Sequence, residues 1–145
     1  MLLVPVKQLD PSLPVPAYAR AGDAGCDLLA REAVTLAPRG GRALVGTGMC
    51  VEIPAGHAGL VLPRSGLALR HGVTCLNAPG LVDPGYRGEV GVILVNTDPG
   101  MSYEVRRGDR IAQFVLVRFE ESGFIAREAL SPSDRGSGGF GHTGR

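Results

Sequence analysis

Glycine and proline punctuate this chain so often that no long helix can form. There are 22 Gly and 11 Pro, 33 of 145 residues, where an ordinary chain carries roughly 12% of the two together. Both residues weaken a helix interior, glycine through backbone entropy and proline through its missing N–H. A helical bundle is therefore excluded, and short strands joined by tight turns are favoured. Apolar residues make up 44% of the chain, enough for one core, and the length suits one domain.

The apolar runs are short. Residues 2–9 read as a first strand, residues 11–25 as an irregular loop, and residues 26–30 as a second extended piece. Four more runs follow at 34–36, 42–45, 48–53 and 59–62, separated by turn residues such as Pro38-Arg39-Gly40-Gly41, Gly46-Thr47 and Pro54-Ala55-Gly56. One stretch reads as a helix of under two turns: Ser65 caps it, Leu67 to Leu69 fill it and Gly72 ends it. Strands are then expected at 73–76, 80–82, 89–96 and 103–105, with a turn at Asp83-Pro84-Gly85. The longest apolar run, 111–119, suggests a strand buried on both faces. The last stretch, 131–145, is glycine-rich, and Phe140 is its single large apolar side chain. It cannot bury enough surface to order itself. The expected organisation is a β domain over 1–130 and a flexible arm over 131–145.

Fifteen basic residues oppose fourteen acidic ones, a net charge of +1. No global field recruits nucleic acid or an anionic membrane. Of the basic residues only Lys7 is lysine; the rest are arginines, whose fork suits phosphate and carboxylate. Cys26, Cys50 and Cys75 are odd in number and form no CxxC pair, so free thiols in a reducing compartment are expected. The apolar start, Met1 to Val6, is broken by Pro5 and is too short for a signal core or a membrane span. A cytoplasmic protein is expected.

Chains of this size often advertise a nucleotide or metal site by motif. Here there is no GxxxxGK[ST], no HExxH, no EF-hand loop and no GxSxG. His57, His71 and His142 are too scattered to suggest a metal set. Glycine stands beside polar residues in five patches instead. They are Ala21-Gly22-Asp23-Ala24-Gly25-Cys26-Asp27-Leu28, Pro63-Arg64-Ser65-Gly66-Leu67-Ala68, the stretch from Asn77 to Gly88, Arg107-Gly108-Asp109-Arg110-Ile111-Ala112-Gln113, and Arg135-Gly136-Ser137-Gly138-Gly139-Phe140-Gly141. Each has a bland reading: Asp83-Pro84-Gly85 is a good turn, and the second patch is a strand exit with a helix cap. Together they suit a polyphosphate. Arginine forks, hydroxyls and helix-start amides bind anions. Without a P-loop lysine a divalent ion must carry part of the charge, held directly or through water by a carboxylate such as Asp27. A second carboxylate such as Asp83 could activate water for in-line attack. Phe140 could close over a base.

In order and spacing these patches resemble the five motifs of the homotrimeric dUTPases (deoxyuridine triphosphate nucleotidohydrolases), and the resemblance runs from Ala21 to the C-terminus. It implies an all-β, distorted jelly-roll fold (a β-clip) with one short helix. It also implies a homotrimer whose active sites lie at subunit boundaries, each closed by a neighbour's arm. The implied enzyme is a dUTP diphosphatase that cleaves dUTP to dUMP and pyrophosphate with Mg²⁺, keeping uracil out of DNA and supplying dUMP for dTMP synthesis. By position, Asp83 is the implied base for the water attacking the α-phosphorus. Asp27 would position the metal's water shell. Arg64, Ser65, Gly66 and Gln113 would be phosphate ligands, with Arg135 on the γ-phosphate and Gly141 and Thr143 beside the substrate. Asn77 with the backbone of Gly80, Leu81 and Val82 would read uracil. Tyr86 would floor the deoxyribose and exclude a 2′-hydroxyl, and Phe140 would cover the base. Two positions depart from the family's usual residues: His142 stands where Ser is common, and Cys26 where a large residue is common.

Two rivals remain. Deoxycytidine triphosphate deaminases share this grip, but their glutamate would fall at Ile93, which relays no proton, and Glu89 is off register. A nucleotide sensor or structural trimer could use the same fold without chemistry. It would bind dUTP and release no pyrophosphate.

Overall fold

A computed structural model describes residues 2–134 and 136–138. Among them are ten strands and one helix: β1 (Val6–Gln8), β2 (Cys26–Leu29), β3 (Val34–Leu36), β4 (Gly41–Val51), β5 (His57–Leu62), α1 (Ser65–His71), β6 (Val73–Cys75), β7 (Gly80–Val82), β8 (Glu89–Asn96), β9 (Tyr103–Val105) and β10 (Arg110–Arg118). Two four-stranded antiparallel sheets, in the orders β1-β4-β8-β6 and β2-β10-β5-β7, share one core, with β3 and β9 forming a separate ribbon. This is the all-β architecture that the turn spacing predicts, in the jelly-roll-like form that the resemblance implies.

Four local expectations need correction. The first strand is only Val6–Gln8 rather than 2–9. Pro5 has no N–H for the ladder and ends the pairing with its carbonyl on the Glu52 N–H at 2.9 Å. The runs expected at 42–45 and 48–53 are one strand, β4, because Gly46-Thr47-Gly48 form a bulge rather than a turn. Arg64, not Ser65, occupies the N-cap of α1, in extended conformation and with no side-chain cap bond. Gly72 does end the helix in the left-handed conformation. Finally, β10 is not buried on both faces. Ile111, Ala112 and Phe114 are buried, whereas Gln113 is exposed and Val115 to Val117 are half-buried.

The core draws on both sheets, with Leu28, Val45, Val92, Leu94 and Ile111 buried at its centre. Asn96 is buried among them and fully bonded. Its Nδ2 donates to the carbonyls of Leu36 (3.1 Å) and Met101 (2.8 Å), and its Oδ1 accepts the Asp98 N–H (3.0 Å). It thereby ties the end of β8 to β3 and to the turn before β9. Asn96→Ala orphans three buried or half-buried groups and is expected to cost about 2–4 kcal/mol. A denaturant-unfolding midpoint measures this, and an unchanged midpoint would refute it.

Candidate active site

One group of site residues is assembled by strand register. Asp27 on β2 lies opposite Gln113 on β10, and Gln113 lies opposite Leu62 on β5. Arg64 follows β5 by two residues, so the chain returns beside Asp27. Its Nε donates to Asp27 Oδ1 at 3.0 Å, and Arg110 Nη1 donates to Oδ2 at 3.4 Å. Arg64 Nη1 also reaches the Arg110 carbonyl at 3.3 Å. Two cations on one carboxylate leave a net positive charge. The Leu67 and Ala68 N–H groups bond the Arg64 carbonyl at 3.0 and 3.1 Å. The amides of Ser65 and Gly66 have no acceptor among the described residues, as expected of a helix's first turn. Gln113 and the Ser65 side chain are exposed beside them. Arginine fork, hydroxyl, amide and free N–H groups are what an anion requires.

A second group lies on the turn that joins β7 to β8, strands of different sheets. The turn closes with the Tyr86 N–H on the Asp83 carbonyl at 3.1 Å. It frames a cleft of about 260 Å³ lined by Asn77, Leu81, Val82, Asp83, Tyr86 and Ile93, among others. Asp83 is exposed at this cleft. The Tyr86 hydroxyl donates to the Glu89 carbonyl at 2.9 Å, which holds the ring. A Cβ on Gly88 would strike the Tyr86 ring and hydroxyl where they now lie. Gly80 is buried, and a Cβ on it would press Val61 and the Asn77 amide at 3.3 Å. Among the described residues strand β7 pairs only with β5 and forms the edge of its sheet, so one side of its backbone has no ladder partner there.

The structure thus brings Asp27, Arg64, Ser65, Gly66 and Gln113 together, and separately Asn77, Gly80, Leu81, Val82, Asp83 and Tyr86. Asp27 also lines a different cavity, beneath the loop of Leu13 to Ala17. Arg135, Phe140, Gly141 and Thr143 lie outside the described residues. Two contributors carry no role in the sequence reading. Arg110 reaches Asp27, and Leu44 pairs across the ladder with Ile93 to wall the cleft beside the β7–β8 turn. Arg110 stands within the fourth patch, but nothing in the sequence around Leu44 marks it, since only the β4–β8 register brings it there. Ile93 is apolar at the cleft, and the Glu89 carboxylate is engaged by the Gly48 N–H (2.8 Å) and Arg31 (3.3 Å). Neither suits the deaminase reading.

Burial pushes the Cys75 thiol up to about 11 and raises Cys26 as well, so neither supplies a thiolate at neutral pH. Cys26 is partly buried and packs against the core. No helix among the described residues is long and apolar enough to cross a membrane.

Comparison with known proteins gives one answer. The dUTPase family model matches residues 12–144. The deoxyuridine 5′-triphosphate nucleotidohydrolase of Thermobifida fusca is 55% identical over 141 residues, covering 97% of this chain and 78% of the relative. That of Nocardia farcinica is 52% identical, covering 97% and 85%. Among solved structures, the Staphylococcus bacteriophage 80alpha dUTPase with dUPNHPP superposes with a TM-score of 0.89 at 28% identity, over 100% of both chains. With the motifs, the fold and these relatives in agreement, the chain belongs to the dUTPase family.

Proposed function

We infer that this chain hydrolyses dUTP to dUMP and pyrophosphate. The observation that carries the reading is the edge strand β7 beside Asn77, above Tyr86 and next to Asp83. Free backbone donors and acceptors there imitate a base-pairing partner for uracil. Cytosine presents the opposite pattern and leaves polar groups unpaired, which discriminates strongly. The Tyr86 ring under the sugar leaves no room for a 2′-hydroxyl.

Asp83 takes a proton from a water whose oxygen attacks the α-phosphorus. The bond from that phosphorus to the α–β bridging oxygen breaks, pyrophosphate departs, and dUMP keeps the α-phosphate. Arg64, the Ser65 and Gly66 amides, the Ser65 hydroxyl and Gln113 hold the triphosphate. The C-terminal motif completes the grip through Arg135, Gly141 and Thr143, with Phe140 over the base.

No group of three metal-binding side chains exists among the described residues. The described residues therefore build no cage for a cation by themselves. This donor set fits Mg²⁺, which keeps its waters and binds mainly through substrate phosphates. Asp27 would accept hydrogen bonds from those waters, and the bound ion would neutralise phosphate charge.

The enzyme works as a homotrimer in the cytoplasm, with a β domain to residue 130 and an arm from 131 that serves a neighbour's site. Supporting the shared site, Phe124 and Leu130 are 97% and 88% exposed in the single chain, which calls for a partner surface. Three free cysteines suit a reducing compartment.

The test is pyrophosphate release from dUTP, UTP, dCTP and dTTP, with and without Mg²⁺, alongside light scattering. Release from dUTP alone, dependent on Mg²⁺, by a particle of three chains is expected. Tight dUTP binding with no release would favour a nucleotide sensor. A monomer would sink the shared site.

A further inference from the structure

Backbone amides of Leu9, Asp10 and Arg31 bond the carbonyls of Gly48 and Gly46 in the β4 bulge, and on the β8 side it is a side chain that meets the Gly48 amide. Gly46 pairs with Gly91 of β8, but Cys50 pairs with Glu89, so β4 carries two extra residues between these points. Gly48 adopts a positive φ of 72° there. Its N–H donates to Glu89 Oε1 at 2.8 Å, and Glu89 Oε2 accepts from Arg31 at 3.3 Å. The Thr47 hydroxyl donates to the Val90 carbonyl at 2.6 Å. Gly46 makes room for this arrangement, since a Cβ on it would lie 2.6 Å from Glu89 Oε1. The Gly48 amide is buried, so losing its acceptor would leave an unpaired donor.

The same residue holds the nucleotide cleft from its other end. The backbone carbonyl of Glu89 accepts the Tyr86 hydroxyl at 2.9 Å. Tyr86 is half exposed and its hydroxyl has no other partner among the described residues, so this bond sets where the ring lies. The carboxylate of Glu89 anchors the first residue of β8 to the bulge, and the carbonyl of that residue anchors the ring.

We propose that Glu89 is a positioning residue for sugar selection: by pinning the start of β8 to the β4 bulge, it fixes Tyr86 where the ring excludes a ribonucleotide. The proposal rests on the dUTP reading above. Glu89 touches no reacting atom and acts only through Tyr86.

The test compares kcat and KM for dUTP and UTP in the full-length wild type, Glu89→Ala, Glu89→Gln, Tyr86→Phe and the Glu89→Ala/Tyr86→Phe double variant, with a melting curve for each. Glu89→Ala is expected to lower the dUTP:UTP ratio of kcat/KM by about five- to tenfold, the worth of one positioned hydrogen bond. Its kcat for dUTP should stay within about threefold. Glu89→Gln keeps an acceptor for the Gly48 N–H and should hold the ratio within about twofold. Tyr86→Phe should lower the ratio comparably, and the double variant should add little, because both changes cut the same link. Should Glu89→Ala fail to fold, Gly46→Ala displaces the carboxylate without removing it and is read in the same way. A lowered melting temperature with unchanged selectivity would make Glu89 a strand staple and overturn the proposal. Additive losses in the double variant would overturn it too. A wild type that shows no preference for dUTP over UTP overturns the underlying functional reading itself.

Discussion

Asp83→Asn is expected to fold, assemble and bind dUTP like the wild type while losing about 10²–10⁴-fold in kcat, the usual worth of a general base. The argument begins with placement. Asp83 is exposed on the turn after β7, and its backbone carbonyl, not its side chain, closes that turn onto Tyr86. The described contacts give the carboxylate no hydrogen bond to the fold, so an amide of the same size leaves the turn intact. An amide cannot take the proton of an attacking water. A burst-free steady-state assay together with calorimetric binding of a non-hydrolysable dUTP analogue separates the two effects. Turnover near the wild-type rate would remove Asp83 from the chemistry. Lost binding with a lowered melting temperature would make it a structural turn residue.

Arg64→Ala is expected to lower kcat/KM for dUTP by about 10²–10³-fold, or about 3–4 kcal/mol, the worth of charged hydrogen bonds lost together. The substitution removes a phosphate fork and at the same time unpairs Asp27, whose carboxylate is only 19% exposed. Only Arg110, at the longer distance of 3.4 Å, then remains on Asp27. The fold should tolerate the change, because Arg64 caps α1 with its backbone carbonyl and makes no side-chain cap bond. Arg64→Lys should rescue little, since an ammonium is a point charge and cannot bridge carboxylate and phosphate with a planar fork. Steady-state kinetics decide the matter. A rise in KM alone would mean that Arg64 binds ground and transition states equally. An unchanged kcat/KM would refute the phosphate role.

Much of this was written into local sequence. Turn residues carry their own backbone preferences, so Pro38 to Gly41, Asp83-Pro84-Gly85 and the left-handed Gly72 announce their positions without help from distant residues. For that reason β3, β7, β8 and β9 begin and end where the punctuation places them. The five motifs were equally legible, because each is a contiguous run of residues whose order and spacing resemble those of the family. What stayed hidden depends on register. Gly46-Thr47-Gly48 reads as a turn, and only the distant Glu89 carboxylate supplies the acceptor that makes it a bulge. Ser65 reads as a cap, yet the end of β5 places Arg64 at that position.

The chain's local chemistry by itself determined the all-β fold class, and its five motifs carried the resemblance to the family and named the groups proposed to meet a triphosphate. Which groups meet was decided by the tertiary structure alone: Arg110 against Asp27, Leu44 against Ile93, and Glu89 between the bulge and Tyr86. The physical reason is that propensity and hydrogen-bonding capacity belong to single residues. A contact between residues 83 or 41 positions apart exists only after antiparallel pairing has chosen one register.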